Sequence, residues 1–279
     1  MKQRLAAFCV GLIVAQAPLI STASSHEMWI DATEYQIDGS NKIIADMRVG
    51  QNFRGSTQRY IPDNFIRLDI AVGDRTEPVP GRIGDTPAIN VDPLDEGLNI
   101  LVHQSKTLTT SYPTLEKFQS FVEHKALGDA IERHKARELP ETGFREAYAR
   151  YAKALIGVGN SEGQDKAFGL DTEFIALENP YTDDMSDGID MRIELFGVPK
   201  AGAQVEVFEQ PDNTEAGTDV VVTLLTADEN GLVTVPVKPG HSYLLDSVYL
   251  REPSAETAER FNAVWETLWA AMTFHVPGN

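Results

Sequence analysis

The chain has 279 residues, among them 24 basic and 42 acidic side chains and a single cysteine, for a formal net charge of −18. That acidic excess disfavours nucleic acid and anionic membrane surfaces as partners. The composition is ordinary globular, without a low-complexity block, and the length sets one large or two modest domains.

Residues 1–25 read as a secretory signal: Lys2 and Arg4 give a charged start, Leu5 to Ala15 an apolar centre, and Ser21 to Ser25 small residues suited to cleavage. The apolar run is shorter than the roughly twenty residues that span a bilayer, so the mature chain is expected to be periplasmic without membrane insertion. Cys9 lies within this signal, after Phe8 where a lipoprotein site would need a small residue, which leaves the mature chain without a disulfide. Losing Lys2 and Arg4 lowers the basic count from 24 to 22 against 42 acids, a net charge of −20.

Residues 26–112 alternate as short strands, in "NKIIADMRVG", "FIRLDIAV" and "GLNILVHQS", and predict a first β-sandwich. From Pro113 the period changes towards 3.6, predicting a helical insertion over 113–159 in three pieces. The first carries Leu115, Phe118, Phe121 and Val122, the second runs from Asp129 to Arg137, and the third is capped by Thr142, striped by Phe144, Tyr148, Tyr151, Ala152 and Leu155, and ended by Gly157 and Gly159. Residues 160–185 form a return strand and linker. A second small β-sandwich follows over 186–252, with a hairpin at the Asn230-Gly231 turn. A C-terminal helix and strand occupy 253–279, with Leu268, Ala270, Met272, Phe274 and Val276 alternating in the strand. The fold class is therefore mainly β, with two immunoglobulin-like or transthyretin-like sandwiches and a helical insertion between them.

The chain carries no nucleophile elbow, phosphate-binding glycine loop, dinucleotide fingerprint or paired-cysteine metal motif. The chemistry sits instead in "STASSHEMWI". Cleavage after Ser25 starts the mature chain at His26, whose α-amine and ring Nδ1 close a chelate on one metal ion. Cleavage after Ala23 puts histidine third, where amine, two amides and imidazole give the square-planar nitrogen set suited to Cu(II) or Ni(II). Cleavage after Ser24 leaves a weaker arrangement, and the competing reading of His26 is an ordinary strand residue. His103, one step out of phase with Ile100 and Val102, faces away from the side they bury. His124 ends the first inserted helix, where a cation is favourable. These two are the candidates for added imidazoles. His134, His241 and His275 are expected at the surface, Met28 and the tryptophans Trp29, Trp265 and Trp269 in packing, and the acids Asp183, Asp184, Asp187 and Asp190 in a solvated linker.

The segments "HEMWID", "VGQNFRG", "LPETGFREAYARYAKALIGVG", "GVPKAGAQVEVF", "DENGLVTVPVKPGHSYLLDSVYLREP" and "VWETLWAAMTF" together resemble the exported bacterial family catalogued as domain of unknown function 4198, formerly labelled a periplasmic component of nickel uptake. The resemblance implies the β-sandwich architecture, a link to Ni, Co or Cu, and a histidine directly after the signal, the position of His26. The leading expectation is a periplasmic binding protein for a divalent transition metal, acting in uptake or delivery, with His26, His103 and His124 as ligands and a membrane metal transporter as partner. A cell-envelope module that binds a protein or glycan, and a copper oxygenase built on the N-terminal histidine, are the rivals.

Overall fold

The structure, a computed structural model, describes residues 26–278, so the expected signal and its expected cleavage point lie outside the described residues. In chain order the strands and helices are β1 (Glu27–Ala32), β2 (Gln36–Ile37), β3 (Ile43–Gln51), β4 (Arg54–Gln58), β5 (Phe65–Val72), β6 (Arg75–Pro78), β7 (Ile89–Val91), β8 (Gly97–Ser105), β9 (Leu108–Tyr112), α1 (Leu115–His124), α2 (Ala130–Ala136), β10 (Phe144–Val158), β11 (Thr172–Ala176), β12 (Ile189–Leu195), β13 (Val198–Pro199), β14 (Gln204–Pro211), β15 (Val221–Thr226), β16 (Leu232–Val235), β17 (His241–Arg251), α3 (Ala255–Phe261) and β18 (Trp265–Val276). The protein is mainly β, as its alternating segments predict.

A ten-stranded mixed sheet runs through the middle in the order β15-β14-β17-β18-β10-β8-β5-β6, with β2 and β9 also paired to β10. Two four-stranded sheets cover it, one made of β1, β3, β4 and β7, the other of β11, β12, β13 and β16. The central strands sort their side chains between the two covers. Ala152, Ala154, Ile156, Phe208, Leu244 and Ala271 pack in a core with Trp29, Ile30 and Met47 of the first cover. Their neighbours in sequence, Tyr151, Leu155, Val207, Tyr243, Leu245, Ala270 and Met272, pack with Phe174, Met191 and Val233 of the second. The two sandwich segments predicted from the sequence thus share one middle sheet: β5, β6 and β8 come from the first, β14, β15 and β17 from the second.

The helical insertion is shorter than expected. Its first two pieces form α1, capped by Thr114, and α2, but residues 144–158 are the long strand β10, parallel to β18 and antiparallel to β8 and β9. The strand has a physical cause. β10 is buried on both faces, so neither face is polar and the period of two disappears. Its alanines, good helix formers in isolation, are instead the small residues that admit a cover on each side. Lys153, which supplies the polar mark of a helix surface, is buried here, bonding Asp165 at 2.7 Å and the carbonyls of Lys166 at 3.0 Å and Phe174 at 2.9 Å.

The hairpin predicted at Asn230-Gly231 does not form: the turn joins strands of two different sheets. β15 pairs with β14 in the central sheet and β16 with β12 in the second cover, so the turn carries the chain from one layer to the next. Gly231 has φ 71°, and a Cβ there would meet the Ile193 carbonyl and the Lys200 amide nitrogen, each at 2.8 Å. Gly231→Ala is expected to cost about 1–3 kcal/mol through strain and overlap with backbone that cannot move aside. A urea titration with an unchanged midpoint would remove that explanation of the glycine.

The helices cover the rest of the first face of the central sheet. Phe118, Phe121 and Val122 of α1 join Tyr112, Phe144, Trp265 and Trp269 in a third core, and Trp265 and Trp269 stack on Phe118 and Phe121 at 5.8 and 5.7 Å. The tryptophans are packing residues, as expected. His134, expected at the surface, is fully buried in this core. Its Nε2 lies 3.0 Å from the Pro140 carbonyl and its Nδ1 accepts from Trp265 Nε1 at 3.0 Å.

Candidate functional site

The covers of the first face meet where β1 begins and α1 ends, and the charged groups gather at this seam. Glu206 of β14 and Asp246 of β17 are register partners; each shares its face with an apolar neighbour two residues away, Phe208 and Leu244. The turn after α1 delivers Lys125 over the ring of Trp269, 5.0 Å from its centroid. The Lys125 Nζ donates to Glu27 Oε1 at 3.0 Å, Glu206 Oε2 at 2.6 Å and Asp246 Oδ2 at 2.9 Å. All four side chains are at most 3% exposed.

Three carboxylates around one ammonium leave an excess of negative charge in a poorly screened place. Burial, followed by the Asp246 charge, raises Glu27 to about 7 against the opposing pull of Lys125. Asp246 is also raised, chiefly by burial. For Lys125 burial favours the neutral amine, but the charges of Asp246, Glu27 and Glu206 outweigh it and hold the ammonium above its ordinary range. Glu27 Oε2 and Asp246 Oδ1 are buried without a hydrogen-bond partner. Glu206 Oε1 lies 3.1 Å from His124 Nε2, at ion-pair distance but outside hydrogen-bond geometry.

The candidate histidines meet this seam unequally. His26 directly precedes Glu27, is exposed, and its carbonyl accepts from Arg150 Nη2 at 2.9 Å. His124 stands on the rim with its side chain 56% exposed, its carbonyl accepting from Gln204 Nε2 at 2.9 Å. His103 faces away from Ile100 and Val102, as its phase predicts, but that side is buried too, under the first cover. It lines a cavity of about 130 Å³ with Met28, Met47, Phe65 and Arg150. Its Nδ1 is buried with no hydrogen-bond partner, and burial, then the Arg150 charge, lower its pKa to about 3, so the ring is neutral at physiological pH.

Among the described residues, the group of three potential metal-ligating side chains with ligand atoms within 4.8 Å of one another is Glu27, Glu206 and Asp246, not the three histidines. The oxygens suit a hard cation, but one from each carboxylate is already held by Lys125, whose ammonium sits where a cation would. The carboxylate set therefore fits an ion only if Lys125 withdraws. Sequence reasoning missed Lys125 and its three acids. The signal was a lone charge inside an apolar strand, Asp246 in "YLLDSVYL" and Glu206 in "VEVF", which has to find a partner when the strand is buried on both faces.

Fold and site together define a layered β protein with a buried ion cluster beside its first strand. The family model described as "Domain of unknown function (DUF4198)" matches residues 23–251, and the chain belongs to that family. No curated protein matches the chain.

Proposed function

We propose that the protein is a periplasmic binding protein for a divalent transition metal, Ni, Co or Cu, that takes the ion up or delivers it, with His26 as anchor. One observation carries this reading: His103 presents a neutral imidazole with an unpartnered Nδ1 in a cavity it shares with Met28, two residues after His26 in the sequence. His26 directly precedes β1 and is exposed, next to the buried start of that strand. Arg150, which lines that cavity, also holds the His26 carbonyl at 2.9 Å. Amine and imidazole from a processed His26 with the ring of His103 make a nitrogen-rich set suited to Ni(II) or Cu(II). His124 adds a further imidazole at the rim, and the acid excess around Lys125 favours a cation nearby.

Native mass spectrometry of protein purified from the periplasm, without added metal or chelator, tests the reading. The expected spectrum shows a chain beginning at His26 or Ser24 with one ion bound, and His26→Ala and His103→Ala each weaken binding at least tenfold. Affinity should fall as pH drops, since amine and imidazole must lose protons to bind. A chain that stays metal-free with stoichiometric Cu(II) and Ni(II) would overturn the proposal.

A further inference from the structure

The central sheet ends in two edges of opposite character. The β6 edge carries Arg75, Glu77 and Pro78, charges and a proline that obstruct further pairing. The β15 edge reads Val-Val-Thr-Leu-Leu-Thr, without a charge or a proline. It leaves Val221, Val222 and Leu224 at 52%, 47% and 59% exposure. A long apolar edge with free backbone donors and acceptors is a template for another strand.

The sequence of this edge matches itself. Paired antiparallel about Thr223, residues 221–225 place Val222 opposite Leu224 on one face, and Val221 opposite Leu225 with Thr223 opposite Thr223 on the other. The same register sets Asp219 against Ala227 and Asp228 against Thr218, so no carboxylate faces a carboxylate. A closed two-fold contact requires this kind of self-complementarity.

We propose that β15 is a homodimerisation edge, through which two copies of this chain join their central sheets into one continuous sheet about a two-fold axis at Thr223. Leu224 is the register partner of Glu206, so the two His124–Glu206 rims lie three inter-strand spacings apart, about 14 Å across the joint. The contact is short for a permanent interface, and each copy carries a net charge of −18 before processing. The dimer is therefore concentration-dependent, and strengthens with added salt as repulsion between the copies is screened. This inference goes beyond the metal reading and stands or falls separately from it.

Sedimentation equilibrium of the full exported protein over a rising concentration series tests it, with hydrogen exchange on the same samples. The expected result is a mass moving from one chain towards two, further at high salt, with slowed exchange of the 221–226 amides in the concentrated sample. Leu224→Lys and, independently, Val222→Lys should hold the protein monomeric, and Ile83→Lys, on an 81% exposed residue elsewhere, should dimerise as the parent does. A parent that is monomeric throughout, or a dimer that both lysine variants leave intact, would overturn the proposal.

Discussion

Lys125→Met is expected to lower the thermal midpoint by about 10 °C, because it leaves Glu27, Glu206 and Asp246 buried together with nothing to balance them. Removing one partner from a buried ion network costs about 3–5 kcal/mol, and in a chain of this size each kcal/mol moves the midpoint by about 2–4 °C. The loss should be larger at pH 8 than at pH 5, where the stranded carboxyls can take up protons instead of holding unpaired charge. Adding Glu206→Gln and Asp246→Asn to Lys125→Met should recover much of it, since the cluster then has little charge left to neutralise. Calorimetry of the three proteins decides the matter. A Lys125→Met midpoint within about 2 °C of the parent, under 1 kcal/mol on the same scale, would mean that the seam is wet and the ammonium dispensable.

The second large effect concerns pH. Burial raises both Glu27 and Glu146 to about 7 from an ordinary 4.5; Glu146 lies among aromatic side chains, accepting from Tyr112 Oη at 2.7 Å and from Thr267. A carboxyl whose folded pKa is raised gives stability that is complete below its unfolded value and is lost as pH climbs through the folded one, here between about 4.5 and 7. Each group alone corresponds to about 3 kcal/mol over that interval. His103 acts in the opposite sense: lowered to about 3 from 6.5, it contributes above 6.5 and loses that contribution as pH falls. Two carboxyls against one imidazole leave a net decline between pH 5 and pH 7. The thermal midpoint is therefore expected to be higher near pH 5 than at pH 8, with Glu146→Gln removing most of the slope, because one carboxyl then stands against one imidazole. A midpoint that rises steadily from pH 5 to pH 8 would contradict these environments.

Much of the architecture is legible in the residues, because the cover strands and β18 alternate and α1 and α3 carry their caps at Thr114 and Ser254. What could not be read is β10 and the joining of both predicted segments in one middle sheet. A strand buried on both faces has no polar side, so β10 presents its alanines and aromatics as a helical stripe, and nothing local to Asn230-Gly231 says whether the turn returns to its own sheet or crosses to another. The site divides in the same way. The phase of His103 and the helix-end position of His124 follow from local pattern, but the ion cluster is assembled from β1, α1, β14 and β17, spanning residues 27 to 246, and only the tertiary fold brings these together. The burial of His134 is non-local in the same way: its partner Trp265 is 131 residues away.

The final strand of the chain lies at the middle of the widest sheet, with β17 on one side and β10 on the other. The matched family region stops at residue 251, before this strand begins. Every earlier central strand therefore emerges during synthesis into a sheet that cannot close until the twelve residues of β18 arrive. The pairing of β10 with β18 joins positions more than a hundred residues apart, Glu146 with Trp265 and onward, and such distant contacts fold slowly. A chain cut short before Trp265 would expose two unsatisfied inner edges, those of β17 and β10, instead of a trimmed end.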